Sequence, residues 1–210
     1  MSEKLGQYIV IEGTDGAGTT TQKDLLQKTL IENNENVIGL AEPGGTLIGD
    51  ELRLIVKNGS LPRSPETNLD IFTICRRELV RQVIEPALEE GTHVISDRNW
   101  FSTIAYQGFG EGLSIEDITN RMKLALGKLF LPNFAVIIDV PVEVSEVRIG
   151  HRGTDANDNF EKKGRDFFEK VREGYLWIAK EYDLSIIDGT QSIKEVQSSI
   201  EDLLPKTLLS

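Results

Sequence analysis

Apolar segments alternate along this chain with segments in which apolar residues recur at helical spacing. The apolar segments predict strands over Tyr8–Glu12, Val37–Ala41, His93–Ser96, Phe134–Val140 and Leu184–Ile187. The uninterrupted run from Phe134 to Ile138 is typical of a strand that helices cover on both faces. The alternation therefore predicts an α/β fold with three layers, in which a five-stranded parallel sheet lies between two layers of helices.

Length and composition narrow the class of protein further. The 210 residues, of which 39% are hydrophobic, suffice for one core, so we expect a single domain over 1–210. A net charge of −11 argues against a surface for nucleic acid or for an anionic membrane. The single cysteine, Cys75, excludes an intramolecular disulfide and a cysteine-cluster metal site. The first residues do not follow the plan of a signal peptide and no apolar run approaches membrane length, so a cytoplasmic location is expected.

A glycine-rich loop follows the first predicted strand. Residues 13 to 20 read Gly-Thr-Asp-Gly-Ala-Gly-Thr-Thr, and a predicted helix follows them. The phosphate-binding loop Gly-x-x-x-x-Gly-Lys-[Ser/Thr] differs from this segment at one required position, where Thr19 replaces the lysine. A loop between a strand and a helix directs free N–H groups at an anion, so we interpret it as a site for ATP phosphates. The alternative is a plain tight turn. The candidate ATP-binding residues are Gly13, Gly16, Ala17, Gly18, Thr19, Thr20 and Thr21.

Charged residues end three of the predicted strands. Asp15 follows the first strand, Glu42 the second, and Asp97 and Arg98 the third. Ligands of parallel sheets bind beyond these carboxyl ends, so we expect the residues to share a site. Thr20 and Asp97 are the candidate ligands of Mg²⁺, and the planar guanidinium of Arg98 suits a phosphate. The alternative for the last pair is an ion pair at a turn.

A long predicted helix, roughly residues 65 to 89, carries Phe72 and Arg76 four residues apart. That spacing places an aromatic face beside a guanidinium, which together can stack on a base and hydrogen-bond its carbonyl edge. Phe72 also fits a core position, because Phe72, Leu79 and Val83 follow the spacing of an amphipathic helix. Both interpretations of Phe72 stay open.

Two loops complete the candidate site. The turn Glu42–Thr46 precedes a helix that carries Arg53; its alternative is an ordinary loop in which Thr46 caps the helix. The stretch from Arg148 to Asp158 is rich in arginine and glycine, which predicts a lid over about residues 148–160 that closes over phosphates. Its alternative is a polar surface loop.

Taken together, these motifs resemble the thymidylate kinase family, nucleoside monophosphate kinases that phosphorylate dTMP. The similarity extends almost from end to end of the chain. It is carried by Ile11–Gly18, Glu42–Thr46, Asp97–Arg98, Ser102–Gly108 and Asp158–Glu161. The resemblance implies a P-loop nucleoside monophosphate kinase fold, phosphoryl transfer from ATP to dTMP giving dTDP, Mg²⁺ bound with ATP, and a homodimer.

The resemblance also implies roles for particular residues. Asp15 would orient the acceptor phosphate or the Mg²⁺ shell, and Arg53 and Arg98 would clamp the phosphate of dTMP. Phe72 would stack on thymine, with Arg76 at its carbonyl edge, and Tyr106 would favour deoxyribose. The full implied dTMP set is Asp15, Glu42, Arg53, Phe72, Arg76, Arg98, Ser102, Thr103, Tyr106, Gln107 and Phe160. The implied catalytic set is Asp15, Arg98, Arg148 and Arg152.

The chain departs from the family pattern where positive charge is expected. Thr19 replaces the loop lysine, Ala41 stands where arginine is common, and Asn99 follows Asp-Arg. Loss of one stabilising donor costs on the order of 10²–10³ in rate, and Arg148 and Arg152 are the candidates to supply the missing charge. Three hypotheses follow: an active or attenuated thymidylate kinase, a catalytically silent nucleotide-binding homologue, and a kinase for another nucleoside monophosphate.

Overall fold

Five parallel strands form the centre of the molecule. The computed structural model describes residues 5–151 and 163–208. Its strands are β1 (Tyr8–Gly13), β2 (Val37–Ala41), β3 (His93–Asp97), β4 (Phe134–Asp139) and β5 (Ser185–Asp188). They form one sheet in the order β2-β3-β1-β4-β5, with every pairing parallel. β1 is the central strand, and Ile9 pairs with Ile95 of β3 and with Phe134 of β4. The predicted five-stranded parallel sheet is confirmed.

Helices cover both faces of this sheet. Within the described residues the α-helices are α1 (Thr19–Glu32), α2 (Leu47–Lys57), α3 (Pro65–Leu79), α4 (Glu85–Glu89), α5 (Trp100–Thr103), α6 (Ile115–Leu126), α7 (Val142–His151), α8 (Arg165–Glu181) and α9 (Ile193–Leu203). Ile9 and Ile11 of β1 pack on one side with α1 and α9, while Tyr8 and Val10 pack on the other side with α3, α5, α6 and α8. Side chains that alternate along β1 therefore pack into two separate cores, one on each face of the sheet, which confirms the three layers.

The long predicted helix over residues 65 to 89 is present, with one irregularity. A π-helical segment, Val80–Ile84, separates α3 from α4. Pro86 lies two residues after this segment and has no N–H to donate to the carbonyl of residue 82, so the regular ladder of helical hydrogen bonds is interrupted here. A second π segment, Ile104–Gly110, continues α5.

None of the helices in residues 5–151 and 163–208 combines the length and the apolar character needed to cross a bilayer.

Candidate active site

A cavity of about 350 Å³ lies at the carboxyl edge of the sheet, over β1, β2 and β3. Most of the residues predicted from sequence lie in its wall. They are Asp15, Gly16, Gly18, Thr19, Thr20, Glu42, Arg53, Phe72, Arg76, Asp97, Arg98, Ser102, Thr103, Tyr106 and Gln107. Four predicted residues that the structure describes are not part of this wall: Gly13, Ala17, Thr21 and Arg148. Arg152, Phe160 and most of the predicted lid lie outside the described residues.

The glycine loop joins β1 to α1 at the edge of the cavity. Gly16 and Gly18 have φ values of 82° and 99°, a left-handed conformation that glycine adopts at little cost. Helix α1 then begins without a side-chain cap and without an acidic residue in its first turn. Its first N–H groups have no partner within the helix, and the helix dipole adds positive potential at this end. The loop therefore has the local structure of an anion site.

Thr19 brings no charge to this loop. The residue is only 6% exposed, and its Cγ2 lies 3.2 Å from the point where a Cβ on Gly13 would be. The threonine methyl thus packs against the end of β1. Removal of a stabilising cation from a preorganised site weakens transition-state binding more than it weakens ground-state binding.

Thr20 and Asp97 lie side by side. The Thr20 hydroxyl donates to Asp97 Oδ2, while Asp97 Oδ1 is buried without a hydrogen-bond partner in the described chain. Hydroxyl and carboxylate oxygens are the ligands that Mg²⁺ prefers, so these two residues fit the ion predicted for them. No group of three His, Cys, Asp or Glu side chains within the described ranges could hold a metal. An ion here would complete its shell with water and phosphate oxygens.

Arg98 lies at the centre of a cluster of polar side chains. Its Nη2 donates to Asp15 Oδ1 at 2.8 Å, and its guanidinium carbon lies 5.3 Å from the centre of the Tyr106 ring. The Tyr106 hydroxyl in turn donates to Asp15 Oδ2 at 2.9 Å. Burial raises the pKa of Tyr106, which keeps this donor protonated. Arg98 also has a φ of 75°, and strained backbone of this kind is concentrated at functional sites.

Arg76 is buried and held by protein groups on every side. Its Nε donates to Glu42 Oε2 at 2.5 Å, Nη1 to Thr103 Oγ1 at 2.9 Å, and Nη2 to the Asn99 carbonyl at 2.9 Å. Burial raises the pKa of Glu42, and the charge of Arg76 opposes that shift. Glu42 Oε1 has no partner among the described residues, so it can accept a hydrogen bond from a ligand. The predicted contact of Arg76 with a base stays a prediction.

The neighbours of Arg76 belong to the same wall. Phe72 lines the cavity and also packs against the core, so the two interpretations left open by its spacing are compatible. Arg53 reaches the cavity from α2, and its Nη1 donates to the Pro43 carbonyl. Thr46 caps α2 by accepting from the Gly49 N–H at 3.1 Å, the cap that the alternative interpretation of this turn contains.

Arg148 lies beside the glycine loop. It belongs to the last turns of α7, so the first residues of the predicted lid are helical. Its guanidinium donates to the Gly16 carbonyl at 3.3 Å and to the Gly189 carbonyl at 2.9 Å. These bonds place a positive charge next to the loop in which Thr19 replaces lysine.

Several polar residues of the site were not predicted from sequence: Lys57 and Asn99 in the cavity wall, and Glu12, Tyr175 and Ser145 next to it. Glu12 and Tyr175 contact the Arg98 cluster, and the hydroxyl of Ser145 donates to the carbonyl of Asp15. An acidic residue at the end of an otherwise apolar strand was a usable signal for Glu12. Tyr175 and Ser145 carried no such signal, because each fits the buried face of an amphipathic helix.

The central strand, the glycine loop and the cationic cavity together define a P-loop phosphate-binding α/β protein. A family model described as thymidylate kinase matches residues 11–200. The chain is 37% identical over 195 residues to a thymidylate kinase of Kosmotoga olearia, covering 92% of each chain. It is 38% identical over 206 residues to a thymidylate kinase of Ectopseudomonas mendocina, covering 97% of each. A crystal structure of thymidylate kinase from Ehrlichia chaffeensis superposes with a TM-score of 0.77 at 30% identity, covering 96% of this chain and 100% of that one. The chain belongs to the thymidylate kinase family, as its motifs predict.

Proposed function

We propose that this chain transfers the terminal phosphoryl group of ATP to dTMP, giving dTDP. The observation that carries the proposal is the position of Arg98. Its guanidinium lies in the same cavity as the glycine loop and is held there by Asp15. One cavity thus offers a loop for a donor phosphate and a rigid cationic fork for an acceptor phosphate. Phosphoryl transfer needs such positioning and charge stabilisation more than it needs covalent participation of the protein.

The acceptor phosphate is assigned to Arg98 and Arg53. Arg98 is oriented by Asp15, and Arg53 reaches the same cavity from α2. The base is assigned to Phe72, which offers an aromatic face in the cavity wall, and to Thr103 and Gln107 nearby. Tyr106 is assigned to the sugar, because its ring is fixed under Arg98 and its hydroxyl is bonded to Asp15.

Thr20 and Asp97 are the residues that would hold Mg²⁺. Held there, Mg²⁺ would supply positive charge beside the phosphates of ATP and so stabilise the negative charge that develops during transfer. The residues of the chain itself position the two nucleotides. The loop N–H groups orient the phosphates of ATP, and the arginines orient the phosphate of dTMP. Arg148, bonded to the Gly16 carbonyl, is assigned the positive charge that Thr19 does not provide. Arg152 of the predicted lid is the second candidate.

Equal concentrations of dTMP, dUMP and dGMP, offered with ATP and Mg²⁺, test the activity and the acceptor together. We expect dTDP to be the main product and to disappear when Mg²⁺ is chelated. A dominant product from another monophosphate would reject dTMP as the preferred acceptor. Calorimetry separates the silent homologue from the enzyme, because a silent homologue would bind dTMP without any turnover.

A homodimer is proposed on the exposed apolar residues of α2 and α3. Leu47 is 91% exposed and Leu54 is 65% exposed, and their spacing of seven places them on one stripe of α2. Ile48 and Ile55 continue this stripe, and Ile74 of α3 is also partly exposed. Contiguous exposed apolar surface of this kind marks an interface with another protein. The occupant proposed here is a second copy of the same chain.

Light scattering tests this assignment. The wild-type chain is expected to have twice its monomer mass of 23.4 kDa. Leu54→Glu is expected to yield monomers, because it places a charge in the apolar stripe. Ile193→Glu is the matched control: this residue is 58% exposed on α9 and should leave the mass unchanged. A monomeric wild type, or a dimeric Leu54→Glu variant, would contradict the assignment.

A further inference from the structure

Glu12 is a carboxylate buried beneath the acceptor side of the cavity. It is 0% exposed, on the face of β1 from which Tyr8 and Val10 enter the core. Its Oε1 accepts from the Asn99 N–H at 2.7 Å. Its Oε2 accepts from the Ser102 hydroxyl at 2.7 Å and from the Tyr175 hydroxyl at 3.0 Å. An apolar side chain at this position would avoid the cost of burying a charge, so core packing does not explain the residue.

Both hydroxyls that bond to Glu12 also bond to Arg98. Arg98 Nη1 donates to the Tyr175 hydroxyl at 2.9 Å and to the Ser102 hydroxyl at 3.3 Å. A hydroxyl has a single hydrogen, so one that donates to a carboxylate presents its lone pairs elsewhere. Here those lone pairs accept from the guanidinium. The two hydroxyls also lie 2.8 Å apart and either can donate to the other, so one cluster of hydrogen bonds joins the negative charge of Glu12 to the positive charge of Arg98.

The third partner of Glu12 is a backbone group, the N–H of Asn99. The Asn99 N–H that it accepts from belongs to the residue after Arg98, whose φ of 75° is unfavourable for a side chain other than glycine. A charge-assisted hydrogen bond at this point stabilises the turn from which the Arg98 side chain leaves. Glu12 therefore contacts the Arg98 segment through its backbone and through two side chains.

We propose that the Glu12 carboxylate is a positioning residue that holds the Arg98 guanidinium in the orientation needed for the acceptor phosphate. The inference rests on the proposed function, in which Arg98 binds the phosphate of dTMP. A fork already held in place loses less conformational freedom when the phosphate binds, which strengthens binding without a direct contact. Protonated Glu12 would donate a hydrogen bond to one of the two hydroxyls instead of accepting one from it. The negative charge that the hydroxyls connect to Arg98 would then be absent.

The protonation of Glu12 falls in an accessible pH range. Burial raises the pKa of the Glu12 carboxyl from 4.5 to about 7, and the charge of Arg98 and the three hydrogen bonds oppose the shift. Among the described residues, the other ionisable groups that face it are the phenols of Tyr175 and Tyr8, whose pKa values burial also raises. Both phenols stay neutral in this range, so Arg98 is the charged partner that decides the behaviour of Glu12.

Glu12→Gln keeps the size of the side chain and removes its charge. We expect the Kd and the KM for dTMP to rise about 10-fold to 100-fold at about pH 8, with the KM for ATP unchanged. The ratio of the variant and wild-type Kd values should shrink toward one at about pH 6, where wild-type Glu12 is protonated. This ratio cancels the titration of the dTMP phosphate, which is common to both proteins.

Stability should change in the opposite direction. The folded-state pKa of Glu12 is raised, so its favourable contribution is present below about pH 4.5 and is lost as the pH rises through about 7. At about pH 8 Glu12→Gln should therefore unfold at the same temperature as the wild type or at a higher one. Weaker dTMP binding in a protein that is no less stable separates a positioning role from a structural one.

Tyr175→Phe is the second variant, and it removes one bridging hydroxyl while it leaves the carboxylate in place. If Glu12 acts through Tyr175, the double variant should bind dTMP much more tightly than the sum of the two single effects predicts. If Glu12→Gln binds dTMP as tightly as an active wild type does, Glu12 does not position Arg98. The same conclusion follows if the effects of the two substitutions on dTMP affinity are strictly additive. In both cases the proposed function stands. A wild type that forms no dTDP would instead overturn the proposed function.

Discussion

Arg98→Met is expected to lower kcat/KM for dTMP by about 10²–10³, because loss of one preorganised donor from an active site costs on the order of 3–4 kcal/mol of transition-state stabilisation. The variant loses the cation assigned to the acceptor phosphate and leaves the carboxylate of Asp15 without its cationic partner. Arg98→Lys should also be impaired, since an ammonium cannot reproduce the planar fork that bonds Asp15 and Tyr175 together. Steady-state kinetics with dTMP varied at saturating ATP measures the effect.

Arg121→Met is the matched control for that experiment. Arg121 also pairs with a carboxylate, Asp70, at 2.5 Å, but both side chains are about half exposed on the outer surface. Exposed pairs of this kind contribute about 0–1 kcal/mol, so kcat/KM should stay within a few-fold of the wild type. Equal kinetics in Arg98→Met and Arg121→Met would show that Arg98 does not bind the acceptor.

Thr19→Lys is expected to raise kcat by about 10-fold to 100-fold. Thr19 lies in the cavity wall at the start of α1, the position from which a P-loop lysine reaches the β/γ-phosphates. A preorganised cation there stabilises charge that develops only in the transition state, so kcat should respond more than the KM for ATP. The expected gain in kcat is smaller than the factor of about 10²–10³ typical of a single stabilising donor, because Arg148 already places a positive charge beside Gly16.

Ile31→Lys adds the same charge to the same helix away from the cavity, where residue 31 is 55% exposed. It should leave kcat unchanged and so controls for the change in net charge. A Thr19→Lys variant with unchanged or lower kcat would show that the loop does not lack a cation. The positive charge that stabilises the transferred phosphoryl group would then come entirely from other residues. Arg148 and Arg152 would be the first of these to test by substitution.

The fold and the glycine loop could be predicted because their signals are local. Each strand contains a short apolar run, and the loop from Gly13 to Thr20 lies within eight consecutive residues. Asp97 and Arg98 were placed correctly at the cavity because the carboxyl ends of parallel strands share one edge. The strand ends differ slightly from the prediction: β4 ends at Asp139 rather than Val140, just before Pro141.

The contacts between distant segments could not be predicted in the same way. Glu42 and Arg76 were each assigned to dTMP, but their pairing depends on where α3 lies relative to the loop that follows β2. Glu12 and Tyr175 are separated by 163 residues and meet only because α8 packs against the same face of β1. The spacing of apolar residues indicates which face of a helix is buried. It does not indicate which polar side chains on different segments form hydrogen bonds with each other.

A single-turnover reaction tests the central claim most directly. Wild-type protein in excess over labelled dTMP is mixed with ATP and Mg²⁺, and the nucleotides are separated by chromatography over time. Arg98→Met, purified in the same way, controls for contaminating kinases. The account predicts complete conversion of dTMP to dTDP by the wild type and conversion at least about 100-fold slower by the variant. Recovery of unchanged dTMP from the wild type, or equal rates in the two preparations, would contradict it.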